Sequence, residues 1–212
     1  MKLFLASSTD KTLSLLKEVA PNIGTEVLFV ANASDPYEGD HWWVELDRQA
    51  FKQYGFNIRE VDLRSTTPQA LEQMLRESDV LHVCGGSVYY LVALLRDKRL
   101  DEVITRAICD TTLVYTGASA GSIIVSDNIK AFSYDPEEAE HVKKVPDHRG
   151  LGIVDFAIVP HVGNPHFADE HARILAQLPN DNTALFFLYD NQVLWVEDGK
   201  LQLLSVPAGG MF

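Results

Sequence analysis

The chain has 212 residues, of which 46% are hydrophobic and 23% are charged, and its formal net charge at pH 7 is −12. This length predicts a single domain over residues 1–212, and the charge excludes a nucleic-acid partner because phosphate binding needs clustered lysine and arginine. Since no apolar run reaches the roughly 20 residues of a membrane helix, and the N-terminal MKLFLASS is too short for a signal-peptide core, we expect a cytoplasmic protein without a membrane partner.

Apolar, β-rich runs alternate with segments of helical period, and this alternation predicts a mostly parallel sheet covered by helices. The predicted strands are 2–6, 26–31, 57–61, 80–83, 113–116, 153–160, 184–188, 192–196 and 201–204. The predicted helices are 10–19, 43–54, 68–78, 88–96 and 169–178. Thr67 is expected to cap the helix that starts at Pro68. The last three strands are expected to be antiparallel, with Asp198 and Gly199 in a hairpin turn.

Two glycine-containing turns follow predicted strands and precede helices. In GASAG (117–121), small residues two before and two after Ser119 allow the sharp turn of a nucleophilic serine, and the amide of Ala120 can stabilise developing negative charge. The pentapeptide fits a merely crowded turn equally well. In CGGS (84–87), the amide of Gly86 is a candidate second oxyanion donor at the same edge of the sheet, although a plain strand-to-helix loop has the same pattern.

A nucleophilic serine requires a base, and the chain has seven histidines. His161 follows the apolar run IVDFAIVP, at the carboxyl end of a predicted strand, where it can approach Ser119. His82 lies inside a predicted strand and is interpreted as a core residue. The five-residue spacing of His161, His166 and His171 suggests a metal site, but a helical pair of ligands is missing.

The two cysteines, Cys84 and Cys109, have neither the spacing of a zinc site nor the number needed for a disulfide framework. Both are expected to be small buried residues. We therefore expect no metal ion and no other cofactor.

Four motifs in order over nearly the whole chain resemble the peptidase E family of S51-type serine peptidases, which includes aspartyl dipeptidases: CGGS, GASAGS, SYDPEE and LGIVDFAIVPHVGNP. The resemblance is strongest to the short bacterial branch described as type 1 glutamine amidotransferase-like. It implies a three-layer α/β/α sandwich of the class I glutamine amidotransferase type. It also implies serine-dependent hydrolysis of small peptides, with α-aspartyl dipeptides as the founding substrates, in a monomer or homodimer.

The resemblance also implies roles for individual residues. By position, Ser119 is the nucleophile, His161 is the general base, and Gly86 and Ala120 provide the oxyanion amides. The family's GGN turn reads Gly-Gly-Ser here, which puts Ser87 at a substrate-binding position.

Two departures from the family pattern concern charged residues. An arginine that grips the aspartyl side chain often follows the catalytic histidine in the family, and only Arg173 is present there. The late glutamate that orients the base corresponds to Gln192, with Asp190 two residues earlier. Asp135 in SYDPEE matches another acidic position of the family. We predict that Asp190, rather than Asp135, orients His161.

Two classes of function follow. The favoured one is a serine peptidase that cleaves short peptides, with dipeptides carrying an acidic N-terminal residue as candidate substrates. The alternative is a binding or regulatory protein that shares the fold but has an incomplete triad, because a glutamine at position 192 cannot stabilise an imidazolium charge. An amidotransferase is disfavoured because its nucleophile would be cysteine.

Overall fold

The structure is a computed structural model that describes residues 1–177 and 183–207. Within them the strands are Lys2–Ala6 (β1), Glu26–Val30 (β2), Asn57–Glu60 (β3), Val80–Val83 (β4), Val114–Ala118 (β5), Phe156–Val159 (β6), Ala184–Phe187 (β7), Gln192–Glu197 (β8) and Lys200–Ser205 (β9). The α-helices are Thr9–Thr12 (α1), Ser14–Val19 (α2), Trp42–Gln53 (α3), Pro68–Arg76 (α4), Val88–Asp97 (α5), Asp101–Asp110 (α6), Ala120–Ile123 (α7), Ala139–Val142 (α8) and Ala168–Gln177 (α9).

The main sheet has seven strands in the order β3-β2-β4-β5-β1-β8-β9. Its first five strands are parallel, whereas β8 and β9 are antiparallel to their neighbours. β6 and β7 form a separate, parallel pair, which we call the small sheet. The predicted mostly parallel sheet is therefore confirmed, and so is the final hairpin.

Side chains alternate between the two faces of the main sheet and build a core on each. Leu3 and Leu5 of β1 pack in one core with residues of α4, α5, α6 and α7, and the small sheet packs there too. Phe4 and Ala6, on the opposite face, pack with Leu13 and with residues of α2 and α3. Burying apolar side chains on both faces is what produces the predicted three-layer sandwich. No helix in the described part of the chain is long and apolar enough to cross a membrane.

Two predictions about strands and helices were wrong. The strand at 184–188 was expected to be antiparallel, but β7 pairs in parallel with β6. The chain then crosses to the main sheet, where β8 pairs with β1, so the short connection between β7 and β8 is not a hairpin. The helix predicted at 10–19 is two short helices separated at Leu13.

The helix α6, which carries Cys109, was not predicted. Val103, Ile104 and Ile108 of this helix are buried, with the three- and four-residue spacing of an amphipathic helix. Asp101 in the first turn favours the helix start. Cys109 follows the buried Ile108 and is exposed, which corrects the expectation that both cysteines are buried.

Candidate active site

Ser119 immediately follows β5 and is the N-cap of α7, with a backbone conformation of φ 50° and ψ −113°. A Cβ on Gly117 would lie 2.5 Å from the carbonyl carbon of Gly121, and a Cβ on Gly121 would lie 2.1 Å from the carbonyl oxygen of Val83. Only glycine allows this close approach of the backbone on both sides of the serine. The N–H of Ser119 donates to the carbonyl oxygen of Ala6 at 3.1 Å, while its hydroxyl does not cap the helix.

The second glycine turn packs directly against Ser119. β4 and β5 are adjacent, so both turns lie at one edge of the sheet. A Cβ on Gly85 would lie 3.2 Å from the Cβ of Ser119, and Gly86 has φ 144° with no room for a Cβ, which would lie 2.2 Å from the carbonyl oxygen of Ala33. Ala120 is the first residue of α7, so its N–H has no partner within that helix.

Ser87 is the N-cap of α5, where its hydroxyl accepts a hydrogen bond from the N–H of Tyr90 at 3.1 Å. The same hydroxyl donates to Glu138 Oε2 at 2.6 Å, and the N–H of Val88 donates to Glu138 Oε1 at 2.6 Å. Burial raises the pKa of Glu138 to about 7, against the opposing effect of these hydrogen bonds. The hydroxyl of Ser87 therefore points into the protein, toward a glutamate that sequence reasoning had not singled out.

His161 and Asp190 follow the two strands of the small sheet and contact each other. Because β6 and β7 are parallel, with Val159 opposite Phe187, their carboxyl ends lie side by side. His161 Nδ1 donates a hydrogen bond to Asp190 Oδ1 at 2.7 Å. The imidazole also stacks on Phe167 with 4.2 Å between ring centroids. The sheet register and this stacking fix the orientation of the ring.

Asp190 has two further hydrogen-bond partners that sequence reasoning missed. The hydroxyl of Ser7 donates to Oδ1 at 3.0 Å, and Lys11 Nζ donates to Oδ2 at 2.8 Å. The hydrogen bond from His161 holds the pKa of the Asp190 carboxyl well below its usual range, and Lys11 adds to this effect. Asp190 is therefore an ionised carboxylate, held at both oxygens. Ser7 follows the first strand at the carboxyl edge of the sheet, which is the signal that could have identified it.

The other predicted acidic and basic residues lie in different surroundings. Asp135 Oδ1 accepts a hydrogen bond from the N–H of Glu137 at 3.1 Å and lies 3.6 Å from Arg173 Nη2. Arg173 Nε is buried and has no hydrogen-bond partner among the described residues. Gln192 Oε1 accepts from the N–H of Tyr189 at 3.0 Å. Thus the side chain that bonds the His161 imidazole is Asp190. Gln192 and Asp135 bond elsewhere.

Within the described residues, one group of side chains has its ligand atoms close enough to hold a metal ion: Asp47, His82 and Cys84, within 4.8 Å of one another. His82 already uses both ring nitrogens, Nε2 with Asp47 at 3.2 Å and Nδ1 with Thr116 at 3.0 Å. Burial raises the pKa of the Cys84 thiol, which disfavours the thiolate that a metal needs. Hydrogen bonding thus accounts for this group, and the interpretation of His82 as a core residue is confirmed.

Comparison with known proteins places this arrangement in a family. Residues 3–204 match the model of Peptidase family S51. An uncharacterized peptidase of Listeria innocua is 30% identical over 175 residues, which is 82% of each chain. A probable alpha-aspartyl dipeptidase of Drosophila melanogaster is 30% identical over 124 residues, which is 58% of this chain and 48% of that protein.

Solved structures share the fold. The crystal structure of a candidate peptidase E protein from Listeria monocytogenes has a TM-score of 0.84 at 25% identity and covers 97% of this chain and 98% of its own. A peptidase from an acI-B1 Actinobacterium has a TM-score of 0.68 at 18% identity. The predicted family, fold class and enzyme class are thereby confirmed. The chain belongs to Peptidase family S51 and is a serine peptidase.

Proposed function

We propose that this peptidase hydrolyses short peptides from their free amino end, with Ser119 as nucleophile, His161 as general base and Asp190 as the residue that orients the base. The observation that carries this assignment is the 2.7 Å hydrogen bond between His161 Nδ1 and Asp190 Oδ1. It leaves Nε2 as the nitrogen that can take a proton from a serine. The backbone of Ser119, with its positive φ between two glycine contacts, supports a nucleophile elbow at this position.

The proposed reaction proceeds through an acyl-enzyme. Ser119 Oγ attacks the carbonyl carbon of the scissile bond while His161 Nε2 takes the hydroxyl proton. The amides of Gly86 and Ala120 donate hydrogen bonds to the oxyanion of the tetrahedral intermediate. His161 then gives its proton to the leaving amine as the C–N bond breaks. A water molecule, deprotonated by His161, attacks the ester, and the serine leaves with the proton as the acid product forms.

The substrate assignment depends on Arg173. Its Nε is buried without a partner among the described residues, which supports a role in binding an acidic side chain of the substrate. Asp135 lies 3.6 Å from the same guanidinium and competes for it, so dipeptides with an acidic N-terminal residue are one candidate among short peptides. Ser87 contributes through its turn rather than its hydroxyl, because Glu138 already accepts that hydroxyl proton.

The alternative of a binding or regulatory protein depended on an incomplete triad. The Asp190 carboxylate forms a hydrogen bond with the imidazole. The glutamine at position 192 therefore no longer argues for an incomplete triad. A cytoplasmic location, and a monomeric or homodimeric state, stay predictions from the sequence.

Labelling and a peptide panel test the proposal together. A fluorophosphonate probe is expected to label the wild-type protein and not Ser119→Ala, whose circular dichroism spectrum should be unchanged because one small turn residue replaces another. Dipeptides with acidic, neutral or basic first residues are compared with their N-acetylated forms and with internally cleavable longer peptides. Cleavage limited to short peptides with a free amino group supports the proposal. Normal turnover by Ser119→Ala, or efficient cleavage of N-acetylated and long peptides, contradicts it.

A further inference from the structure

The end of β1 lies between the elements that carry the proposed catalytic residues. β1 pairs with β5 on one side and with β8 on the other. The carbonyl oxygen of Ala6 accepts hydrogen bonds from the N–H of Ser119 at 3.1 Å and from the hydroxyl of Ser122 at 2.7 Å. The N–H of Ser7, the next residue, donates to the carbonyl oxygen of Gln192 at 3.3 Å. Two consecutive residues therefore contact both the Ser119 turn and the start of β8.

The hydroxyl of Ser7 joins His161 to Asp190. It donates to Asp190 Oδ1 at 3.0 Å and accepts from the main-chain N–H of His161 at 2.8 Å. The same carboxylate oxygen accepts the hydrogen bond from His161 Nδ1. A hydroxyl can donate and accept at once, whereas a methyl group does neither. Ser7 is fully buried, so bulk water does not replace these hydrogen bonds if the hydroxyl is removed.

The backbone at His161 requires such a restraint. Its φ of 62° lies in the left-handed region, which a residue with a β-carbon adopts only where the surroundings hold it there. The hydrogen bond from its N–H to Ser7 fixes the amide in this conformation. Because His161 follows the small sheet and Ser7 follows β1 of the main sheet, the hydrogen bond also ties one sheet to the other.

We propose that Ser7 is a positioning residue of the active site, whose single hydroxyl fixes the His161 backbone and the Asp190 carboxylate relative to the strand that contacts Ser119. This role rests on the proposed function, since it takes His161 and Asp190 as base and orienting acid. The hydrogen bonding itself can be measured without any turnover. Lys11 holds the other oxygen of Asp190, but its side chain is half exposed, so water screens its attraction to the carboxylate.

The test compares Ser7→Ala and Ser7→Cys with Ser126→Ala. Ser126 is a matched control because it is also buried, donates to the carbonyl oxygen of Asn128 at 2.9 Å and accepts from the N–H of that residue at 3.0 Å. For the best dipeptide of the panel, Ser7→Ala is expected to lower kcat by about ten- to a hundredfold, with KM changed by less than about threefold. Ser7→Cys, which keeps a weak donor, should fall between this variant and the wild type. Ser126→Ala should keep the wild-type kcat.

A proton NMR measurement reads the same site independently of activity. The Nδ1 proton of His161, bonded to a carboxylate, gives a low-field resonance that Asp190→Asn assigns by removing it. In Ser7→Ala this resonance is expected to broaden or disappear through faster exchange with water, and in Ser126→Ala it should persist. If Ser7→Ala does not fold, Ser7→Cys provides the comparison in both measurements.

An unchanged kcat together with an unchanged resonance in the Ser7 variants overturns the proposal. Equal losses in Ser7→Ala and Ser126→Ala also overturn it, because they indicate a general effect of removing a buried hydroxyl. If the wild-type protein cleaves no peptide of the panel, the proposed function fails, and the resonance alone decides whether Ser7 fixes the pair.

Discussion

Replacing Asp190 with asparagine tests the acidic residue of the proposed triad, for which the sequence offered two candidates, Asp190 and Asp135. The substitution keeps the size and shape of the side chain but replaces one carboxylate oxygen with an NH₂ group. Asp190 Oδ2 faces the Lys11 ammonium at 2.8 Å, and Oδ1 faces the His161 imidazole at 2.7 Å. The asparagine oxygen is therefore expected to face Lys11, because an NH₂ group against an ammonium is unfavourable. The NH₂ group then faces His161 Nδ1.

This orientation of the amide forces the unproductive tautomer of the imidazole. An NH₂ group donates to Nδ1, so the proton of the neutral ring moves to Nε2, the nitrogen that must accept the proton of Ser119. The equivalent change in a serine triad lowers turnover about 10⁴-fold while leaving the geometry intact. We expect a loss of this order in kcat for Asp190→Asn. The double variant with Lys11→Met should recover part of it, because the amide can then rotate.

The assay is steady-state kinetics on the preferred dipeptide, with Asp135→Asn as the control. Asp135 bonds within its own turn and lies near Arg173, so its removal is expected to change mainly KM. A kcat of Asp190→Asn within about tenfold of the wild type refutes the assignment of the orienting acid. So does a profound loss of kcat in Asp135→Asn alone.

Gly86→Ala is expected to lower the free energy of unfolding by about 1–3 kcal/mol because its Cβ would overlap the Ala33 carbonyl. Gly152 is also at positive φ, but a Cβ there would have open space around it. In urea titration Gly152→Ala should therefore lose less free energy of unfolding than Gly86→Ala, and equal losses contradict the steric explanation. Because burial raises the folded-state pKa of Glu138 to about 7, above the ordinary 4.5, stability should decrease as pH rises between these values. Urea titrations at about pH 5 and pH 8 should show this decrease in the free energy of unfolding, and the decrease should be smaller in Glu138→Gln. An equal decrease in Glu138→Gln and the wild type contradicts the assignment of the effect to Glu138. Turnover should survive dialysis against a chelator, and a loss that zinc restores would contradict a metal-free mechanism.

The sequence predicted the parallel part of the sheet and both glycine turns because these features depend on local pattern. Alternating strands and helices determine the layers, and the small residues of GASAG are those that a sharp turn from a strand to a helix requires. The predicted N-cap at Thr67 is confirmed for the same reason: its hydroxyl accepts from the N–H of Ala70 at 3.2 Å.

The partners that were missed are distant in the sequence. Ser7 contacts Asp190 across 183 positions, and Glu138 contacts Ser87 across 51 positions. No local pattern marks such pairs. The contact between Ser7 and Asp190 depends on how the strands pair, and the contact between Glu138 and Ser87 depends on how the loop before α8 packs against the start of α5.

Asp190 itself was predicted from a strand arrangement that proved wrong. Asp190 lies between two predicted strands, 184–188 and 192–196, that were expected to be antiparallel, whereas β7 and β8 belong to different sheets. Its contact with His161 arises instead from the parallel pairing of β6 with β7, which aligns their carboxyl ends. Pairing between strands that are separated by a helix cannot be deduced from periodicity.

The boundary between the small sheet and the main sheet runs through the proposed site. His161 and Asp190 both follow strands of the small sheet, while Ser119 follows a strand of the main sheet. Substitutions that shift one sheet against the other will thus change the reach from base to nucleophile while the 2.7 Å contact within the pair is preserved. An engineer who wishes to alter substrate size can substitute residues between the sheets other than Ser7, whose hydroxyl holds both members of the pair, and leave the hydrogen bond between His161 and Asp190 intact.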